Sequence, residues 1–259
     1  MIFIKVLFPN SDEMNSDNDI QIEVAFGNLE LLAIDATFEE AETLTKKIGG
    51  KIATAQQVAQ ARLTSGLNHS VNMRGSWVAE NFVYYPNGKI LVTSAEYSPI
   101  LKHAKEATDA HRRDEEFYLS EQEAINLEKI AAEDSAKNPA ERRVYILLNK
   151  EPLELSTALA QFLFKKDSTD YISFLKSDGM QECYVVTIPP DVIEEVRPNK
   201  PFAMALWINP LEEHKSVNEF RLYANSSYTG KDFRWWCYCF SSRACDNIIR
   251  IVRPVSNQK

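Results

Sequence analysis

The stretch from Asp35 to Gly88 constrains the fold most, because two helix-start signals follow one another and an aromatic segment comes after them. Thr37 stands three residues before Glu40, and Thr54 stands three residues before Gln57. In each pair the threonine hydroxyl can accept the backbone N–H of the third residue while that residue's side chain reaches back to the cap. Two short helices are therefore predicted in close succession.

The residues after each signal recur at helical spacing. The first helix presents one apolar face, and the second repeats the pattern: Phe38, Ala41, Leu44 and Ile48, then Val58, Ala61 and Leu63. Gly49-Gly50 predicts the end of the first helix, because glycine adopts the left-handed conformation that closes a helix. A polar loop then leads into SWVAENFVYYPNG, where residues 77–85 predict a strand and Pro86-Asn87-Gly88 a turn.

Taken together, TFEEAETL, GGKIATAQQVAQAR and GSWVAENFVYYP resemble the Link module, the hyaluronan-binding branch of the C-type lectin-like fold. The resemblance lies in the opening helix, the "G-x-x-[LI]-A-T" segment, the second helix and the "GW-[LV]-A-x-x-x-V-x-YP" core segment. Downstream, residues 222–240 are similar to the closing Link segment, "ANxTGY…RYDxxCY". Residues 247–255 (NIIRIVRPV) resemble the last strand of wider lectin-like domains, including the formylglycine-generating enzymes.

This resemblance implies an α+β chain with a C-type lectin-like (Link-like) domain split by a large α+β insertion. Residues 1–97 plus 217–259 are expected to form the lectin-like domain, and residues 98–216 the inserted region. Periodicity predicts the remaining elements: strands at 1–8, 20–26, 29–34, 144–148, 183–188 and 202–208, and helices at 99–116, 121–137 and 156–164.

Net charge and hydropathy limit the classes of partner that this chain can be expected to bind. The 259 residues carry a net charge of −8 and a pI near 5.2, which argues against a nucleic-acid backbone or an anionic membrane as the main partner. No apolar run reaches the roughly 18 to 20 residues of a membrane helix, and MIFIKVLFPNSDE becomes acidic too soon for a secretory signal. A cytoplasmic protein is expected.

Metal and cofactor chemistry finds little support in the sequence, and neither a metal nor a cofactor is expected. His103 and His111 stand eight residues apart on a charged helix, too far for one ion, so a solvated face is the preferred interpretation. Three cysteines could form a zinc site together with His214, namely Cys237, Cys239 and Cys245. The preferred interpretation is that these cysteines are buried thiols. The Link resemblance places the family's first-helix cysteine at Thr45 and its closing partner at Cys239, so that disulfide is absent.

Aromatic and basic residues form the candidate ligand site. In Link modules a tyrosine at the position of Tyr85 stacks on a sugar, and basic residues of the closing segment meet carboxylates, which implies Lys231 or Arg234 here. The full candidate set is Tyr84, Tyr85, Tyr228, Lys231, Arg234 and Trp235. The alternative is that about half of these rings belong to the core, because alternation along a strand hides every second side chain.

Two functions from different classes follow. The first is a non-catalytic recognition module that binds a protein, or a glycan, through an aromatic and basic loop surface; a protein is preferred because the family's disulfides are missing. The alternative is an enzyme of the formylglycine-generating type, or another enzyme, with a reactive cysteine. A third possibility is that the insertion carries the activity and the lectin-like part holds it.

Overall fold

The structure is a computed structural model, and it describes residues 21–67, 69–72, 75–113, 115–147, 153–154, 157–177, 182–186, 199–208, 219–225 and 248–255. The strands within this part are β1 Gln21–Phe26, β2 Leu29–Asp35, β3 Lys51–Ile52, β4 Ser76–Tyr84, β5 Ile90–Thr93, β6 Phe117–Tyr118, β7 Val144–Leu147, β8 Leu153–Glu154, β9 Glu182–Val186, β10 Phe202–Ile208, β11 Glu219–Asn225 and β12 Ile248–Pro254. The helices are α1 Phe38–Ile48, α2 Ala55–Ser65, α3 Pro99–Lys102, α4 Ala104–Arg112, α5 Glu121–Asp134, α6 Thr157–Phe164 and α7 Ser168–Ser177.

Both predicted capping boxes are present and start α1 and α2 where expected. The Thr37 hydroxyl accepts the Glu40 backbone N–H at 3.3 Å, and the Thr37 backbone N–H donates to the Glu40 carboxylate at 2.8 Å. Thr54 and Gln57 form the same reciprocal pair at α2, at 3.2 and 2.9 Å. Helix α1 ends at Gly49, whose φ of 65° is left-handed. Local sequence therefore determines where these two helices begin.

The described strands form one sheet with the order β1-β2-β12-β4-β10-β11-β9-β8, and β3, β5, β6 and β7 pair off this path. Strand β12, near the end of the chain, lies between the early strands β2 and β4. Ile251 pairs with Leu32 of β2 and with Ile52 of β3, and Ile249 pairs in parallel with Trp77 of β4. The early and late parts of the chain thus share one sheet, as the split resemblance predicts.

Elements from residues 98–216 join the same sheet. Strand β10 pairs with β4 from Phe202↔Tyr84 to Ile208↔Ser76, and β7 pairs with β5, which itself pairs with β4. The predicted boundaries at 97 and 217 stay predictions. What the structure adds is that strands from both sides of each boundary hydrogen-bond to one another.

Helices cover both faces of this sheet. On one face α2, α6 and α7 pack over a core that includes Val58, Phe82, Phe162 and Leu206. On the other, α1, α3, α4 and α5 cover two clusters that contain Val83, Leu127, Ile34 and Ile251. A central strand such as β4 is therefore buried on both sides, with only Trp77 partly exposed.

Some elements differ from the prediction. The helix predicted at 99–116 is two helices separated at His103, and it ends at Arg112. The break follows from the anchoring of α3 to β4, because the Asn81 side-chain oxygen accepts the Ser98 hydroxyl and the Ile100 backbone N–H. Strand β5 and helix α7 were not predicted, and the predicted strand at 1–8 lies outside the described residues. Among the described helices, none has the length and apolar character needed to cross a membrane.

Candidate functional site

Two of the predicted ligand residues are core residues in the structure. Tyr84 is 1% exposed and stacks on Phe202, with ring centroids 5.2 Å apart, and Tyr85 is 4% exposed and donates its hydroxyl hydrogen to the Ala124 carbonyl at 2.9 Å. This corrects their assignment as exposed stacking rings in favour of the core alternative. The physical reason is that β4 is covered on both faces, so consecutive side chains are both buried.

The other four predicted residues, Tyr228, Lys231, Arg234 and Trp235, lie outside the described residues. The strands on either side of their segment are described. Strand β11 ends at Asn225, which pairs with Ala205 of β10, and β12 begins at Ile248, next to the residue that pairs with Trp77. The described strands before and after residues 226–247 are therefore the neighbours of β10 and β4 in the sheet.

A pair of tryptophans lies between these two points. Trp77 of β4 and Trp207 of β10 are register partners, both are partly buried, and their ring centroids are 4.8 Å apart at an interplanar angle of 58°. We call Trp77 and Trp207 the tryptophan pair. Partly buried indoles combine a large apolar surface with an N–H donor, a combination typical of binding surfaces.

Gly75 allows the Trp207 ring to lie against the backbone before β4. A Cβ atom at Gly75 would stand 2.2 Å from Trp207 Cζ2 and 2.9 Å from the Ile208 carbonyl oxygen. No side chain fits at those distances, so Gly75 sets the position of the indole. In the sequence, the one hint of this role is that Gly75 stands two residues before Trp77.

A group of polar residues lies on the α2 side of β4, where the register between β4 and β10 is irregular. Asn81 pairs with Ala205 and Trp77 with Trp207, so three residues of β4 stand opposite Leu206 alone. Such a bulge redirects backbone and side chains, and the start of α2 binds there. The Ala79 N–H donates to the Ala53 carbonyl at 2.9 Å, and the Ala55 N–H donates to the Glu80 carboxylate at 2.9 Å.

Glu80 is a buried carboxylate, 5% exposed, at the N-terminus of α2. Burial raises the pKa of Glu80 from 4.5 to about 7, against the opposing effects of the Ala55 N–H and of the positive charge on Lys165. The Ala55 N–H belongs to the first turn, where no helix carbonyl is available, so Glu80 provides an acceptor that α2 itself lacks. Glu80 is the one charged residue in the segment 76–85, a signal that the sequence-based prediction did not use.

A second carboxylate lies beside α2. The Asp167 side chain accepts hydrogen bonds from the Gln56 and Gln60 amides, at 2.8 and 2.9 Å, two groups one helical turn apart. Asp167 closes the 3-10 turn Lys165–Asp167, which connects α6 to α7. We call Glu80, Lys165, Asp167, Gln56 and Gln60 the Glu80 cluster.

The structure describes both histidines that were considered as metal ligands, but only one of the four cysteines. His103 caps α4 at the start, with its Nε2 3.4 Å from the Glu123 carboxylate, and His111 is exposed near the other end of that helix. The described residues contain no group of three side chains able to hold a metal ion. Cys183 lies in β9, and Cys237, Cys239 and Cys245 lie outside the described residues, so the reactive-cysteine alternative stays a prediction.

These elements define a C-type lectin-like fold. The comparison that shows it is a solved structure from work on how the C-type lectin fold accommodates massive sequence variation in Nanoarchaeota. That structure superposes with a TM-score of 0.52 and 10% identity, covering 76% of this chain and 91% of the other. No protein-family model matches the sequence, and no curated protein does. Identity this low shows the fold alone, and the Link branch within that fold stays a prediction.

Proposed function

We propose that this protein is a non-catalytic recognition module whose binding surface combines the tryptophan pair with the segment 226–247. The observation that carries the proposal is the position of Trp77 and Trp207, which lie partly exposed between the two strands that hold the ends of that segment. The C-type lectin-like fold supports it, because this scaffold suggests a binding module in general.

Charge narrows the kind of ligand. Lys231, Arg234 and Arg243 bring basic side chains to the segment 226–247 of a chain with a net charge of −8. We infer that they meet acidic groups on the partner, with Tyr228, Trp235 and the tryptophan pair supplying apolar contact. A protein partner is favoured over a glycan, since clustered tryptophan and arginine are typical of the energetic centre of protein interfaces.

The test is a binding measurement with matched variants. Purified protein is screened against acidic peptides and a glycan array, and every saturable binder is titrated with wild type, Trp207→Ala, Arg234→Ala and the control Ile125→Ser. Ile125 is the matched control because it is 50% exposed on α5, far from the tryptophan pair in the chain. Removing a hot-spot side chain costs about 2 kcal/mol, so each test variant should weaken binding about 30-fold.

The control should bind as wild type does. Unchanged affinity in both test variants, with folding verified by circular dichroism, would contradict the proposed surface. Saturable binding to glycans alone would replace the protein partner by a carbohydrate at the same surface. Absence of any saturable binder would remove the support for a recognition module.

A further inference from the structure

The tryptophan pair presents two hydrogen-bond donors. In the part of the chain that the structure describes, neither Trp77 nor Trp207 forms a hydrogen bond through its indole N–H group. Neither indole nitrogen is a fully buried atom without a partner, although both residues are partly buried, so both N–H groups reach solvent. An indole is a donor and never an acceptor. A ligand of this pair should therefore carry acceptor oxygens as well as an apolar surface.

The two rings are held in place before any ligand arrives. Trp77 pairs with Trp207 of β10 on one side and with Ile249 of β12 on the other. The Trp207 ring lies against Gly75, where a Cβ atom would approach its Cζ2 to 2.2 Å. The ring centroids are 4.8 Å apart, so each indole also limits the movement of the other. Side chains that are fixed in advance lose little conformational entropy on binding.

The sheet around the pair decides how a peptide could bind there. Strand β4 lies between β12 and β10, and β10 lies between β4 and β11, so a peptide cannot add to either strand as a further strand. Recognition has to use the indole side chains. A polyproline II segment suits them, because its backbone has no internal hydrogen bonds and its carbonyls are available as acceptors. The fixed φ of proline also reduces the entropy lost on binding.

We propose that the tryptophan pair binds a proline-containing segment of the partner protein in the polyproline II conformation, an inference that rests on the proposed recognition surface. The proline rings pack on the exposed parts of the indoles, and backbone carbonyls of the segment accept the two N–H groups. Acidic residues beside the prolines complement the charges of Lys231, Arg234 and Arg243 in the segment 226–247.

The experiment compares two synthetic peptides on the full-length protein by calorimetry. One has acidic residues on either side of a run of prolines, and the other carries alanine in place of each proline. The proline peptide should bind at least about 10-fold more tightly, because alanine removes both the ring contacts and the preformed backbone. Equal affinities, or no binding of either peptide, would overturn the inference. A different saturable binder that depends on Trp207 would then still support the recognition surface, so the two failures are distinguishable.

Variants that keep an aromatic ring but lose the N–H group test the hydrogen bonds. Trp77→Phe and Trp207→Phe should each weaken binding of the proline peptide about 5-fold, the effect of one hydrogen bond. Tyr118→Phe is the matched control, because Tyr118 is 40% exposed on β6, which pairs with β10 at Phe202 and Ala203, away from Trp207. The control should bind as wild type does. Unchanged affinity in both tryptophan variants would overturn the inference even if the proline peptide binds.

NMR spectroscopy of the wild-type protein gives a readout that needs no variant to fold. The four tryptophans give four indole N–H signals on isotope-labelled protein. Those of Trp77 and Trp207 should move downfield as the proline peptide is added, because hydrogen bonding deshields the proton, and should stay in place with the alanine peptide. Shifts confined to Trp235 and Trp236 would place the peptide elsewhere and overturn the inference.

Discussion

Glu80 places a carboxylate in the core, and the first turn of α2 stabilises it there. Its oxygen accepts the Ala55 N–H at 2.9 Å, and the pKa of about 7 means that the neutral and ionised forms are both populated near neutral pH. The folded protein therefore holds this proton more tightly than the unfolded chain does. That difference makes the free energy of unfolding depend on pH.

Glu80→Gln should remove this dependence. Because the pKa is raised on folding, its contribution to stability is fully present below about pH 4.5 and is lost as the pH rises towards 7. A shift of this size corresponds to roughly 3 kcal/mol, so above pH 7 the variant should be more stable than wild type by up to that amount, less any weakening of the Ala55 hydrogen bond.

Urea unfolding at several pH values measures this effect. The control is Glu96→Gln, which changes an exposed carboxylate and should leave the pH profile of wild type in place. A Glu80→Gln profile parallel to wild type between pH 4.5 and 7 would show that Glu80 is ionised normally in the fold.

The environments of individual side chains could be predicted from the sequence only in part. The Link resemblance placed Tyr84 and Tyr85 at a ligand, but whether a strand is covered on one face or on two depends on helices far along the chain. The same holds for Lys165, whose backbone is left-handed with a φ of 53°, since no glycine or asparagine marks the position. Residue environments set by distant packing leave no local pattern to read.

Individual elements follow the sequence more closely where their signals are local. The capping boxes, the glycine after α1 and the apolar span of β10 all lie within a few residues of what they specify. Helix α7 has no such box, and the division of α3 from α4 depends on Asn81, which lies in another element. These elements were missed for that reason.

Thr54→Ala tests the start of α2. The substitution removes the acceptor for the Gln57 N–H and should lower the free energy of unfolding by about 1 kcal/mol. Thr43→Ala is the matched control, because Thr43 is exposed in the interior of α1, where alanine has the better helix propensity. Chemical denaturation of both variants gives the two values. Equal losses would indicate that the cap contributes nothing of its own.

Gly75→Ala tests the tryptophan pair as a packed unit. The added methyl must displace the Trp207 ring, which it would approach to 2.2 Å, so we expect a loss of roughly 1–3 kcal/mol and a changed tryptophan fluorescence spectrum. In a Trp207→Ala background the same substitution should cost less, because the ring contact is gone while the Ile208 carbonyl remains. Additive effects of the two changes would mean that the ring does not lie over Gly75.

The whole molecule is organised around β12, which joins strands that are distant in sequence. Because two separate segments resemble one fold, the early and late parts of the chain were predicted to come together. The pairing of β12 with β2, β3 and β4 confirms this prediction. The placement of β7 and β10 in the same sheet was not predicted, because an inserted region carries no signal of which sheet edge its strands will join. Similarity of fold does not identify the ligand.

Ile251→Ala should weaken both early strands at once. Ile251 is fully buried among residues of β2, β3 and α1, and its truncation should cost about 2–4 kcal/mol. Hydrogen exchange should then speed up in β2 and in β4 together, since β12 pairs with each. Val255→Ala, at a residue that is 39% exposed, is the control and should leave both unchanged. Faster exchange confined to β12 would mean that β2 and β4 are stable without the packing of Ile251 in β12.

The pairing of β12 with β2 can be measured by methyl NOE spectroscopy on protein labelled at isoleucine and leucine. Leu32, Ile249 and Ile251 belong to one buried cluster although more than half of the chain separates Leu32 from the two isoleucines, and Ile251 is the register partner of Leu32. We expect an NOE between the methyl groups of Leu32 and Ile251. A well-dispersed spectrum in which both residues are assigned and show contacts only within their own halves of the chain would contradict it.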